Sequence, residues 1–386
     1  MALDFQKVRQ QIKELGENAP QREIELRKLH DTAELLLSKN SPNKEYLQDK
    51  IKRAVQAKEN FRCAIPTDEE LTQTFPLPLE PKEATIFAVD GSQINPSRLT
   101  RVEYCLINIG IFKMVYGKEE TPKPIIKTKL YYGDDIYSSR GVFTNDDVAL
   151  IRDMQEREVL AELADQTTGK VFTITDGPIE LWGTENKKGL QFEKYLTALS
   201  RLHKRGAVTA GYVDKPRSDL VIRLLELAAL EDDRIKEAGD HWLRGISDTG
   251  LFKPKLKPGE RTALFGIQNG SASKYKEETK IHFFYLNLSM TEKPYLARVE
   301  VPAWVANDKQ KLNELHAILY KQSQIIHGSP YPYMLHRAHE IALVSFDETR
   351  QLNLMVEAEL LNQGLTIGTE SGKQTSKDFS ARKIKR

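Results

Sequence analysis

Two apolar segments of this chain end in the same way, each in an aspartate followed by a glycine. The first is Thr85–Val89, followed by Asp90-Gly91-Ser92, and the second is Val171–Thr175, followed by Asp176-Gly177-Pro178. Both segments are typical of buried strands, and a carboxylate at the end of a buried strand is costly to desolvate unless it meets a cation or several donors. Two such carboxylates suggest convergence on one metal site. Each Asp-Gly pair is equally typical of a simple turn.

Composition and charge are those of an ordinary globular chain and exclude several classes of protein. The 386 residues are 40% hydrophobic and 29% charged, and the formal net charge of +2 gives no overall preference for nucleic acid. No signal peptide and no bilayer-spanning segment is visible, and Cys63 and Cys105 support neither a disulfide framework nor a zinc cluster. We therefore expect a cytoplasmic protein with no membrane segment.

Composition divides the chain into four stretches. Residues 1–62 have apolar positions at helical spacing, which predicts a helical hairpin or coiled-coil arm. Residues 63–83 form a Pro-rich linker, and residues 84–368 combine strands with helices in one domain. The tail, 369–386, is basic, with six Lys or Arg and one Asp from Ser371 to Arg386. We expect this tail to be disordered, as a solvated end rather than a phosphate-binding segment.

The order of elements after residue 84 predicts the fold. The strand that ends at Asp90 is followed by strands over 102–115 and 125–132, a helix over 146–164 and the strand that ends at Asp176. Three strands, a crossover helix and a further strand are the arrangement of an RNase H-like α/β core with a mixed sheet. By analogy with that fold, the first and fourth strands lie side by side and the helix contributes a third acid.

Two glutamates of this helix are candidates for the third acid. At 100° per residue, Glu156 lies within the apolar stripe of Val159, Leu160 and Leu163, whereas Glu158 points to solvent. A glutamate on the face that packs over a strand ending in Asp is a candidate metal ligand or acid–base group. Alternatively, Glu156 is a neutralised carboxyl group, or one whose charged end reaches solvent.

A fourth candidate region is the segment 328–340, in which two tyrosines precede two histidines. Two prolines force an extended approach, and a helix is predicted from about Met334. His336 and His339 are three residues apart and share roughly one face of that helix. A histidine near a helix start is often a core or capping residue, so a site and a structural role both remain open here.

Five segments, in order, resemble the NurA nucleases, the partners of the HerA translocase in DNA end processing. They span most of the chain and comprise residues 89–94, 106–110, 175–182, 211–218 and 331–340. The resemblance implies an RNase H-like fold akin to the Argonaute nuclease domain, preceded here by the helical arm. It also implies a manganese-dependent enzyme that cuts DNA, and a homodimer.

The resemblance also implies a set of site residues. By position, the catalytic residues are Asp90, Glu156 (with Glu158 as the alternative), Asp176, Tyr331 and His339. Carboxylates with one imidazole suit Mn²⁺ or Mg²⁺, so Asp90, Glu156, Asp176 and His339 are the expected metal ligands. Lys215 and Arg217, near a predicted helix start, are the expected DNA-binding residues, although a solvated loop explains them equally well.

The function expected from these features is metal-dependent hydrolysis of DNA by an exo- or endonuclease. The resemblance implies 5′-end resection in double-strand break repair with a HerA-like hexameric ATPase; the chain itself has no Walker sequence. An alternative is a nuclease-fold binding or assembly factor that docks a DNA translocase through its helical arm. A phosphatase-like hydrolase of small substrates is a third reading, but no phosphate-loop signature supports it.

Overall fold

A computed structural model describes residues 3–96, 102–138, 141–181, 190–271 and 274–365. The basic tail predicted at 369–386 lies outside these residues, as does Trp182 in one of the family-like segments. Within the described ranges, no helix combines the length and the apolar character needed to cross a membrane.

The helices include the long N-terminal pair that the apolar spacing predicts. In chain order they are α1 Phe5–Asn40, α2 Lys44–Ala57, α3 Asn145–Asp165, α4 Leu190–Arg205, α5 Leu220–Ala229, α6 Asp248–Phe252, α7 Ala303–Ala306, α8 Lys309–Ser323, α9 Tyr333–Ala342 and α10 Phe346–Asn362.

The strands include both of the predicted apolar strands. In chain order they are β1 Cys63–Pro66, β2 Thr74–Phe75, β3 Ala84–Ile94, β4 Tyr104–Tyr116, β5 Lys123–Tyr132, β6 Tyr137–Ser138, β7 Gly141–Val142, β8 Val171–Asp176, β9 Val208–Val213, β10 Arg261–Thr262, β11 Phe265–Gln268, β12 Ile281–Asn287 and β13 Leu296–Pro302. Strand β8 ends at Asp176 as predicted, whereas β3 does not end at Asp90 but continues through Gly91 to Ile94, paired with β4.

The described residues form two compact units, and the chain passes between them more than once. The first unit is drawn from Met1–Pro81, Gly177–Glu180 and Val208–Tyr333. The second unit is drawn from Lys82–Asp176, from Leu181–Ala207 and from the described residues after Tyr333. The second unit therefore contains both strand-end aspartates.

The sheet of the second unit has the strand order β8-β3-β4-β5. Strand β8 runs parallel to β3, with Thr85–Val89 opposite Val171–Thr175, whereas β3 with β4 and β4 with β5 are antiparallel. The first and fourth strands of this segment are thus neighbours, as the element order predicts. The predicted mixed sheet is confirmed.

Helix α3 is the crossover between β5 and β8, and it packs against β3, β4 and β8. Its start is fixed by a capping box, in which the Thr144 hydroxyl accepts from the Asp147 backbone N–H and the Asp147 carboxylate accepts from that of Thr144. Its buried residues face both the sheet and α4, which explains why apolar side chains occur around most of the helix.

The first unit contains an antiparallel sheet with the order β1-β11-β12-β13-β9. The segment predicted as a Pro-rich linker carries two of its strands, β1 paired with β11 and β2 paired with β10. This sheet brings together segments about 200 residues apart in the sequence, such as Cys63 and Gln268. The local hydrophobic pattern of a segment does not indicate which distant segment it pairs with.

The N-terminal helices are packed at one end only. The second half of α1 and most of α2 lie against α5, so that Ala33, Leu37, Leu47 and Ala54 are fully buried. Residues 3–21, which comprise the two residues before α1 and its first half, are instead exposed almost throughout, and Val8 alone among them is partly covered. The projecting arm is therefore shorter than the predicted 62 residues of helical sequence.

Candidate functional site

Asp90 and Asp176 come together because their strands are parallel neighbours. The last paired residues of β3 and β8 are Val89 and Thr175, and each aspartate is the next residue along its chain. Both carboxylates therefore lie where the pairing of β3 with β8 ends, within the second unit, while β3 itself continues beside β4 to Ile94. The predicted convergence of the two strand ends has this simple topological cause.

Both carboxylate oxygens of Asp90 have partners within the second unit. Oδ1 accepts from the backbone N–H of Gly91 at 2.8 Å, and Oδ2 lies 2.7 Å from Nδ1 of His339. A carboxylate only accepts hydrogen bonds, so Nδ1 carries the proton in this contact. In the neutral ring, Nε2 is then left with a lone pair for a metal ion or a proton.

The position of His339 depends on how helix α9 ends. The carbonyl oxygen of Ala342 accepts from the Ser92 hydroxyl at 2.5 Å and from Nδ2 of Asn108 at 2.8 Å. These bonds tie the end of α9 to β3 and β4. Gly110 allows the close approach, because a Cβ there would collide with the backbone nitrogen of Ala342.

Glu156 is the buried glutamate of α3, as the helical face predicts, and Glu158 is only partly covered. Burial raises the pKa of the Glu156 carboxyl well above its usual value, and the charges of Asp153 and Asp90 add to this effect while Arg152 opposes it. Gly91 leaves room for this carboxyl, since a Cβ there would lie 2.6 Å from Oε1.

Two arginines of α3 belong to the same neighbourhood and are absent from the sequence prediction. Nη2 of Arg157 donates to the Thr175 hydroxyl at 3.0 Å, and Nε of Arg152 lies 3.6 Å from Oε1 of Glu156. The i, i+4 spacing of Arg152 and Glu156 is the signal that would have revealed this ion pair. The contact between Arg157 and Thr175 requires the packing of α3 over β8, which the sequence alone does not display.

The chemistry of the donors fits a hard divalent cation. Carboxylates from two neighbouring strands and one helix, with an imidazole held by one of them, are the donor types that Mn²⁺ and Mg²⁺ accept. In the described part of the chain, no three His, Cys, Asp or Glu side chains are gathered closely enough to hold a metal ion. The donors are thus suitable in type, and two of them, Asp90 and His339, are in direct contact.

Three further predicted residues lie in the first unit. The ring of Tyr331 packs edge-on against Tyr212, with 5.3 Å between the centroids. Lys215 and Arg217 are both exposed in the loop after β9. Lys215 has a positive φ of 42°, unusual for a residue other than glycine, and its Nζ lies 5.5 Å from the centroid of the Tyr295 ring.

The strand order of the second unit, with α3 as the crossover between β5 and β8, is that of the RNase H-like class of folds. The family model described as "NurA domain" matches residues 84–344. The chain therefore belongs to the NurA family, as the resemblance predicts. No curated protein matches its sequence.

Several solved structures are similar to the chain at low sequence identity. The NurA nuclease from Sulfolobus solfataricus is 13% identical over 87% of this chain and 98% of its own, with a TM-score of 0.49. The catalytic domain of human Endonuclease V is 12% identical over 81% of this chain and 98% of its own, at a TM-score of 0.31. Drosophila Piwi is 10% identical over 67% of this chain and 29% of its own, at 0.28.

Proposed function

We propose that this chain is a divalent-metal-dependent deoxyribonuclease whose site is formed by Asp90, Glu156, Asp176 and His339. One observation carries the proposal: Asp90 holds His339 at 2.7 Å where the pairing of β3 with β8 ends, and Asp176 follows the last paired residue of β8. The buried Glu156 of α3 lies within electrostatic range of Asp90. Membership of a nuclease family makes phosphodiester hydrolysis the matching reaction.

The protein's own groups have separable tasks in this proposal. Asp90, Glu156, Asp176 and His339 hold Mn²⁺ or Mg²⁺, which activates water and offsets the charge that develops on phosphate oxygens. Asp90 also orients the imidazole of His339, so that Nε2 faces outward as a ligand or proton acceptor. Tyr331 and the exposed Lys215 and Arg217, all in the first unit, contact phosphates of bound DNA.

A cleavage assay tests this function directly. Full-length protein is incubated with end-labelled linear DNA, single- and double-stranded, in Mn²⁺, Mg²⁺ or EDTA. We expect cleavage only with a divalent ion, and its loss by orders of magnitude in Asp90→Asn and Asp176→Asn. Asp165→Asn is the matched control, because that carboxylate ends α3 in an exposed pair with Arg201. Cleavage in EDTA, or normal cleavage by the first two variants, contradicts the proposal.

We further propose that the nuclease acts on DNA ends as a homodimer with a HerA-like hexameric ATPase, in 5′-end resection. Family membership supports this assignment. Labelling the 5′ and 3′ ends separately, with and without such an ATPase, measures polarity and stimulation. Light scattering of the free protein measures the number of chains. Unchanged cleavage in the presence of the ATPase, or a monomer, contradicts the respective part.

A second candidate function, a binding or assembly factor that docks a translocase, is favoured by one feature. Phe5, Ile12 and Leu15 lie on one face of α1 and are each more than half exposed. An apolar helical stripe of this kind is typical of a surface that a partner covers. The two candidates differ in the assay above, because an assembly factor retains ATPase binding but cuts no DNA with any ion.

A further inference from the structure

Arg152 lies beside the proposed metal ligand Glu156 and pairs with two acidic side chains of its own helix. Nη2 lies 2.8 Å from Oδ1 of Asp153, and Nε lies 3.6 Å from Oε1 of Glu156. The side chain is 29% exposed, and its Cγ and Cδ cross over Gly91, where an added Cβ would lie 2.7 and 2.9 Å from them. The guanidinium therefore reaches the acidic group across the segment of β3 that carries Asp90.

The charge of this arginine is fixed by its neighbours. Burial alone would lower the pKa of Arg152, but the carboxylates of Asp153, Glu156 and Asp90 raise it above its usual value. A guanidinium remains charged at every pH at which the protein is folded. In return, Arg152 counteracts the repulsion that Asp153 and Asp90 exert on the charged form of Glu156. Arg152 thus offsets part of the negative charge of this acidic group.

We infer that Arg152 is an internal counter-cation, which a divalent metal ion must displace when it binds to the Asp90–Glu156 site. The inference rests on the proposed function and deepens it. A guanidinium 3.6 Å from an oxygen of the proposed ligand Glu156 repels a second cation that approaches the same carboxyl group. Its three-carbon stem lets the charged end swing to solvent while the backbone of α3 stays in place. The arginine then stabilises the metal-free protein and weakens metal binding by the same contacts.

Metal binding without DNA tests this role. Full-length protein is titrated with Mn²⁺, and free Mn²⁺ is measured by electron paramagnetic resonance. We expect Arg152→Gln, which keeps much of the stem but removes the charge, to bind Mn²⁺ about tenfold more tightly. Arg152→Lys retains the charge and should bind like the wild type. Arg201→Gln, which breaks an exposed pair on the other side of α3, is the control.

Thermal unfolding gives a second readout that does not involve cleavage. In EDTA, Arg152→Gln should unfold at a lower temperature than the wild type, because Asp153, Glu156 and Asp90 lose their counter-charge. Addition of Mn²⁺ should raise its Tm by more than that of the wild type. Arg152→Met serves in its place if the glutamine variant does not fold.

The outcomes separate the two proposals. If the wild type binds Mn²⁺ and Arg152→Gln binds it equally or more weakly, the counter-cation role is wrong and the nuclease proposal stands. If neither protein binds Mn²⁺, there is no ion to compete with, and both the inference and metal dependence fail. If Arg152→Gln binds more tightly but no variant cuts DNA, the inference holds and the nuclease proposal fails.

Discussion

Asp90 acts on its surroundings through both oxygens, which makes its amide analogue informative. Oδ2 accepts a hydrogen bond from Nδ1–H of His339, and Oδ1 accepts one from the backbone N–H of Gly91. In Asp90→Asn, either the amide turns its NH₂ toward Gly91 and loses that bond, or it turns it toward Nδ1. The second choice forces the proton of His339 onto Nε2, which removes the outward lone pair. Asp90→Asn therefore removes the negative charge of this proposed ligand and, in the second arrangement, also changes the tautomer of His339.

Two histidines on one helix give a matched test of the imidazole. His339→Ala should reduce DNA cleavage by orders of magnitude, because it removes the group that Asp90 orients. His336→Ala should leave cleavage near the wild-type rate, since His336 faces Glu340 of its own helix at 3.5 Å rather than Asp90. Cleavage rates at saturating Mn²⁺, with circular dichroism as a check on folding, measure both. Equal effects of the two substitutions would remove His339 from the site.

Among the elements, helix α3 carries one buried glutamate, Glu156, and one partly covered glutamate, Glu158. Glu156→Gln should reduce cleavage far more than Glu158→Gln, because only Glu156 is buried beside Gly91. The amide is nearly isosteric, and burial already favours an uncharged group at this position, so the fold should persist. Single-turnover cleavage rates and Tm values of the two variants decide the matter. A reversed order would identify Glu158 as the functional acid.

The N-terminal helix contains a part that the fold does not need. Among the described residues, deletion of residues 1–18 removes only exposed or partly covered side chains, and it leaves Pro20 in the first turn, where proline is tolerated. We expect the Tm of this variant to equal that of the full chain. Deletion of residues 1–60 removes the buried Leu37, Leu47 and Ile51 and should prevent folding of the first unit.

Thermal unfolding followed by circular dichroism measures both deletions. A large loss of stability in the shorter deletion would show that the exposed stripe of α1 is covered in solution. In that case light scattering identifies whether a second copy of the chain covers it.

The elements that the sequence predicted are those with a local signature. Strands β3 and β8 are marked by apolar runs that stop at an Asp-Gly pair, and α3 is marked by its acidic start and helical period. Arg152 was not among the predicted site residues, because the positions of the acidic residues do not by themselves indicate which cation pairs with them. The sheet around β12 and β13 was not predicted, for two reasons. Its pairings join distant segments, and the runs of buried residues in β12 and β13 are compatible with either a strand or a helix.

For the whole molecule, one buried carboxyl group contributes a distinct pH dependence of stability. Asp248 accepts from the backbone N–H groups of Val221 and Ile222 and from the hydroxyl of Tyr285, yet burial raises its pKa to about 6. The folded state then binds more protons than the unfolded state between about pH 4 and pH 6. The free energy of unfolding should therefore fall as pH rises through this window, by about 3 kcal/mol in total.

Asp248→Asn should remove the contribution of this carboxyl group, so that the free energy of unfolding of the variant falls less as the pH rises from 4 to 6 than that of the wild type. Its amide oxygen still accepts from the start of α5, and its NH₂ donates to the oxygen of Tyr285, whose own proton turns to Ser218. Urea unfolding between pH 4 and pH 7 measures the difference between the two proteins. Asp233→Asn, an exposed carboxylate of the same unit, should retain the wild-type slope. Identical slopes for all three proteins would contradict the assignment.

The bond between Asp90 and His339 joins residues 249 positions apart. Strand β3 leaves the ribosome early in synthesis, whereas α9 follows only after both sheets have been translated. A nascent chain that stops before His339 lacks both the imidazole and the Ala342 carbonyl that ties α9 to β3 and β4. Truncated products of this kind therefore cannot assemble the complete set of proposed catalytic groups.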